Sequence, residues 1–112
     1  AERLTFSMRR AYHPAGLMRQ MLAIGADDDR PQVLARIQRP TLVLHGDADA
    51  LVPIACGRDS AARIPGATFI SVPGMGHDLP PEVCTILANH IAPFAHAADA
   101  AMNAALAKDK TP

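Results

Sequence analysis

Two short runs of β-forming residues, TLVLH at 41–45 and ATFISV at 67–72, constrain the fold of this chain more than any other feature. Each is a continuous run rather than an alternating one, the pattern of a strand covered on both faces in a parallel sheet. Pro40 and Gly46 bound the first run, and the loop PGMGH follows the second. Between them lies one helix-length segment, roughly residues 54–64, closed by Pro65-Gly66. Strand, helix, strand with a connection of this length predicts a right-handed βαβ unit whose strands are parallel neighbours. A longer helical stretch begins near Pro81, with Val83, Ile86, Leu87 and Ile91 at helical spacing. Pro93 should kink or break it, with AHAADAAMNAALA resuming as a terminal helix and KDKTP fraying. The fold class is therefore α/β, in the order β-α-β-α. Two strands do not complete a parallel sheet, which needs further strands and helices on both faces, so an amino-terminal part is expected to be missing.

Ahead of the first strand, residues 14–24 place Leu17, Met18, Met21 and Leu22 on one helical face. Pro14 suits the first turn and Gly25 the stop. After the polar loop GADDDR, Pro31 opens a short helix carrying Val33, Leu34 and Ile37, which Pro40 should end. The organisation read from this pattern is a helical lead over 1–38 and an α/β core over 39–112.

Composition excludes several classes. Lysine plus arginine is 11 and aspartate plus glutamate is 11, so no net field attracts nucleic acid or an anionic membrane. No apolar run approaches bilayer length, and the first residues lack the apolar centre of a signal peptide. Cys56 and Cys84 are too few and too irregular for a disulfide framework or a zinc site; on helix-like stretches they read as buried free thiols, which fit a reducing cytoplasm. With Trp 0, Tyr 1 and Phe 3, the chain is short of stacking surface for bases or sugars.

The chemistry concentrates in the two loops that follow the strands. Asp49 follows the first and His77 the second, 28 residues later. Parallel neighbouring strands open both loops at the same carboxyl edge, where open α/β folds gather ligands and catalytic groups. A carboxylate and an imidazole delivered there match an acid–base pair: Asp49 accepting the Nδ1 proton of His77, leaving Nε2 free to move a proton. Gly74 and Gly76 let the short loop turn back and aim the ring. Asp47 is read as shaping its turn through backbone amides, and Asp78 as initiating the helix before Pro80-Pro81. His45 ends a buried strand and reads as a structural hydrogen-bonder. His45, Asp47, Asp49 and His77 match no metal-ligand spacing, so no metal is assigned. Met18 and Met21 read as core or pocket lining, and the aspartates at 27–29 as a solvated loop. His13, His90 and His96 fall on predicted helices with nothing to mark them.

The segments RPTLVLHGDADALVP and IPGATFISVPGMGHDLP resemble the last third of the α/β-hydrolase family. HG-x-x-D-x-x-VP is similar to that family's acid turn and G-x-GH to its histidine loop. The resemblance implies that Asp49 is the triad acid and His77 the triad base. RRAYHPAGLMRQMLAI is similar to the helix returning from the lid region in esterase-like members. The family's G-x-S-x-G elbow is absent, because Ser7, Ser60 and Ser71 lack the flanking glycines, and an oxyanion loop is absent too. The implied protein is the carboxyl-terminal part of a serine α/β-hydrolase acting on a small carboxylic ester. It would need no cofactor, would take its nucleophile from the missing amino-terminal part, and would be inactive as this chain alone. Lactone, peptide, C–C bond or epoxide hydrolysis would use the same acid and base. A module of another class, a non-catalytic homodimer pairing through an exposed strand edge, is the remaining alternative.

Overall fold

A computed structural model describes residue 5 and residues 13–109. The opening residues in which a leader was sought, the start of the lid-like segment, Ser7 and the end of the tail lie outside them. Contacts divide the chain into two units, 1–30 and 31–112.

In the first unit, α1 spans Pro14–Gly25. Pro14 occupies its first turn as expected. Its cap is His13, whose Nδ1 accepts the Gly16 N–H at 2.8 Å. The sequence reading had put His13 inside a helix; histidine can take the place of the usual Ser, Thr, Asp or Asn because an unprotonated ring nitrogen is an acceptor. The Ala26 N–H closes the far end on the Leu22 carbonyl at 3.0 Å.

The second unit holds the α/β core. A short helix, α2 (Arg30–Ala35), crosses the boundary and stops well before Pro40. Its end tightens through i→i−3 bonds, Arg36 N–H to Val33 O and Ile37 N–H to Leu34 O, both 3.1 Å, so Ile37 lies outside it. Strand β1 (Leu42–Gly46) and strand β2 (Thr68–Val72) pair in parallel, Leu42 opposite Thr68 through Gly46 opposite Val72. The crossover helix α3 (Ile54–Arg63) packs against both strands, and the Arg58 guanidinium lies 5.0 Å from the centroid of the Phe69 ring. Both strands and the crossover fall within one or two residues of their predicted bounds.

The last helix, α4 (Pro81–Asp109), starts on the Pro80 carbonyl, which accepts from Val83 and Cys84 at 3.0 and 3.2 Å. It packs against β1, and Arg39 donates to Met102 Sδ at 3.6 Å. The helix runs unbroken through Pro93, where a kink or a break was expected, so the break is ruled out. Proline removes one hydrogen bond there, but the surrounding alanines, from Ala92 to Ala101, propagate helix better than any other residue.

The core centres on Val72 at 1% exposure and Ile64 at 6%. The remaining strand residues are half-buried, apart from buried Gly46 and exposed Thr68. This departs from the two-sided burial their sequence predicts. Among the described residues each strand has one partner, so each keeps an unpaired edge. An open apolar groove also runs along α4, lined by Cys84, Leu87, Ala88, Ile91 and Ala92. No helix among the described residues is long and apolar enough to cross a membrane.

Candidate active site

The parallel register brings the loops after β1 and β2 to the same edge, and a lattice of bonds stitches them together. Pro73 and Gly74 form the centre of a turn closed by the Met75 N–H on the Val72 carbonyl at 3.3 Å. Gly74 has φ +69°, the value a type II turn requires at its third position and one that favours glycine. The Asp47 carboxylate crosses between loops, its Oδ1 accepting the Gly74 N–H at 2.7 Å. In parallel, Asp47 N–H reaches the Val72 carbonyl at 3.2 Å and Ala48 N–H the Met75 carbonyl at 3.1 Å. Asp47 therefore bonds a backbone amide as expected, but on the opposite loop rather than within its own turn.

Asp49 sits one turn further on. Its Oδ1 accepts the N–H groups of Leu51 and Val52, each at 2.9 Å, and its Oδ2 lies 2.8 Å from Nδ1 of His77. The two aspartates are thus sorted: Asp49 meets the imidazole and Asp47 braces the loop that carries it. A carboxylate only accepts, so Nδ1 of His77 carries the proton, and in the neutral ring Nε2 presents its lone pair. The Asp49 side chain is 6% exposed and that of His77 55%. The Val52 N–H bond, followed by the bond to His77, lowers the Asp49 carboxyl to about 2 against the opposing effect of burial; the Leu51 N–H adds to the lowering. Asp49 is ionised throughout the physiological range.

His45 lies behind the acid. Its Nε2 is 3.0 Å from the Val52 carbonyl and 3.8 Å from Asp49 Oδ2. It is the structural hydrogen-bonder its position on β1 suggests, but its partner and its proximity to Asp49 were not foreseen. Gly57, buried in α3, faces the same ring: a Cβ there would come within 2.5 Å of His45 Nδ1. A glycine inside a helix-length segment was the available signal for such a close approach. Asp78 does not initiate α4; the helix is entered over Pro80, and Asp78 is an exposed residue beside the histidine. Ser60 donates to the Cys56 carbonyl at 2.9 Å inside α3, and Ser71 lies within β2. Among the described residues, no group of three or more His, Cys, Asp or Glu side chains is arranged to hold a metal ion.

Comparison with known proteins places this geometry in context. A family model described as TAP-like protein, an α/β-hydrolase family, matches residues 8–94. The uncharacterized hydrolase YugF of Bacillus subtilis is 31% identical over 67 residues, covering 60% of this chain and 24% of that protein. A monoacylglycerol lipase of Mycolicibacterium smegmatis is 35% identical over 68 residues, 59% of this chain and 24% of the lipase. The bifunctional esterase/perhydrolase DCH of Acinetobacter calcoaceticus is 38% identical over 53 residues, 46% of this chain and 19% of that enzyme. The chain spans about a quarter or less of the length of these curated relatives.

Proposed function

The chain belongs to the TAP-like α/β-hydrolases, and from that premise we propose that it supplies the acid, Asp49, and the base, His77, of a triad that hydrolyses small carboxylic esters. The observation that carries this reading is the 2.8 Å bond between Asp49 Oδ2 and His77 Nδ1 at the carboxyl edge of two parallel strands. A serine from outside these residues attacks the ester carbonyl while Nε2 of His77 takes its proton. His77 then returns that proton to the departing alkoxide, and water enters by the same route to release the acid. Asp49, ionised and already bonded, holds the ring in the productive tautomer and stabilises the imidazolium as it forms.

The half-buried strands, their unpaired edges and the apolar groove on α4 support an amino-terminal part that completes the sheet and brings the nucleophile. The relatives described as a lipase and an esterase favour acyl esters over the lactone, peptide, C–C bond or epoxide chemistries that share this acid and base. The free thiols Cys56 and Cys84, exposed where burial was expected, suit a cytoplasmic setting.

The test is hydrolysis of p-nitrophenyl acyl esters by the intact protein, combined with labelling by a fluorophosphonate. The expected result is label on a serine outside this chain and loss of turnover on His77→Ala. Label on Ser60 or Ser71, or turnover indifferent to residue 77, would refute the assignment. A second reading, a homodimer paired through a strand edge, rests on the same unpaired edges. Sedimentation as a well-folded dimer without activity would favour it.

A further inference from the structure

We infer that His45 is a positioning residue for the Asp49–His77 pair: its Nε2–H holds the Val52 carbonyl, and so keeps the turn that aims Asp49 closed. The inference concerns how the pair is held, and its link to turnover rests on the hydrolase reading above. The Val52 carbonyl can only accept, so at 3.0 Å Nε2 of His45 must carry a proton. Val52 touches the acid directly: its N–H, like that of Leu51, bonds Asp49 Oδ1 at 2.9 Å while Oδ2 faces His77 at 2.8 Å. A fixed sequence of bonds therefore runs from imidazole 45 through residue 52 and carboxylate 49 to imidazole 77. Pro53 follows with no N–H to offer, and α3 begins only at Ile54, so the Val52 end of the turn is tied to β1 through His45, as its Asp49 end is tied by the Asp49 N–H to the Gly46 carbonyl at 3.4 Å.

Gly57 supplies an independent argument. Glycine in a helix interior is less favourable than alanine. Here the bare α-carbon accommodates the His45 ring: a Cβ would meet Nδ1 at 2.5 Å, Cγ at 2.9 Å and Cβ of His45 at 3.1 Å. The helix has kept its weakest residue short of proline at the point where the imidazole needs space. Among the described residues no hydrogen bond or ion pair joins His45 or Gly57 to His77, and His45 Nε2 lies 3.8 Å from Asp49 Oδ2, so the effect on the base travels through Asp49.

The experiment compares the intact protein with His45→Ala, His45→Gln and Gly57→Ala. It reads kcat and KM on a short-chain ester, and the low-field proton resonance of His77 Nδ1–H, which reports the bond to Asp49 directly. We expect His45→Ala and Gly57→Ala to lower kcat roughly tenfold with little change in KM, and to broaden the resonance by exposing its proton to exchange. In His45→Gln the amide N–H₂ can reach the Val52 carbonyl, so most of the kcat and the sharp line should return. An unchanged resonance and kcat in both His45→Ala and Gly57→Ala would overturn the inference, as would His45→Gln behaving no better than His45→Ala. If His45→Ala fails to fold, Gly57→Ala and His45→Gln still decide. An intact protein without esterase activity, in which the resonance responds as described, would refute the hydrolase reading while upholding the positioning role.

Discussion

The acid loop and the histidine loop leave the same edge of the same sheet, yet they are built in opposite ways. Asp49 is 6% exposed and spends its two oxygens on three partners, two backbone N–H groups and the imidazole. His77 is 55% exposed and is held through one ring nitrogen. In the proposed triad the orienting group is fixed in advance, whereas the group assigned to move a proton keeps one nitrogen open. Preorganised charge is effective because it needs no rearrangement during the reaction, while a proton carrier must reach two different atoms in turn.

Substitutions can break this contrast at points of decreasing severity. Removing the open group should do most: His77→Ala is expected to lower kcat about 10⁶-fold, measured on an activated ester in the intact protein. Removing the charge of the fixed group should do less. Asp49→Asn is expected to reduce kcat about 10⁴-fold with KM nearly constant, because geometry survives while the tautomer is wrong. An equal loss for the two substitutions would show that the division of labour between the loops is false.

Stability tests sharpen the same comparison. Gly74→Ala forces an ordinary residue to φ +69° in the turn that carries His77, and should destabilise the fold by about 1 kcal/mol in denaturant titrations. The acid loop should leave its mark in pH instead. The Asp49 carboxyl falls from 3.8 to about 2 on folding, chiefly through the Val52 N–H, so the unfolded chain binds that proton more readily than the folded one. Its contribution is complete above about pH 4 and disappears as pH falls through about 2. Unfolding midpoints followed over that interval should therefore decline less steeply in Asp49→Asn than in the parent. A parallel decline in both would locate the acid sensitivity elsewhere.

Much of this was legible in the residues themselves. The βαβ unit announced itself because proline and glycine punctuate two β-branched runs, and those signals are local. The pairing of Asp49 with His77 was legible for a topological reason: parallel neighbours share an edge, whatever the loops do in detail. What escaped depended on where a loop returns in space. The Asp47 bond to Gly74 spans 27 residues, and no local pattern says which amide a turn carboxylate will find. His45 was assigned a structural bond, but the Val52 carbonyl that receives it lies seven residues on, across a turn, and no local pattern names it. Of the kink or break expected at Pro93 the break does not occur, because the alanines around that residue sustain the helix. The strands carry an apolar pattern fit for two covered faces, while the described elements leave them half-buried.

Among the described residues, the hydrogen bonds that aim the carboxylate and the imidazole fall between His45 and His77. The span begins on one strand, crosses a single helix and ends just past the other, so its bearings are internal to it. On the proposed triad reading, this cassette carries its own alignment and leaves to the rest of the protein the attacking group and the choice of what is cleaved.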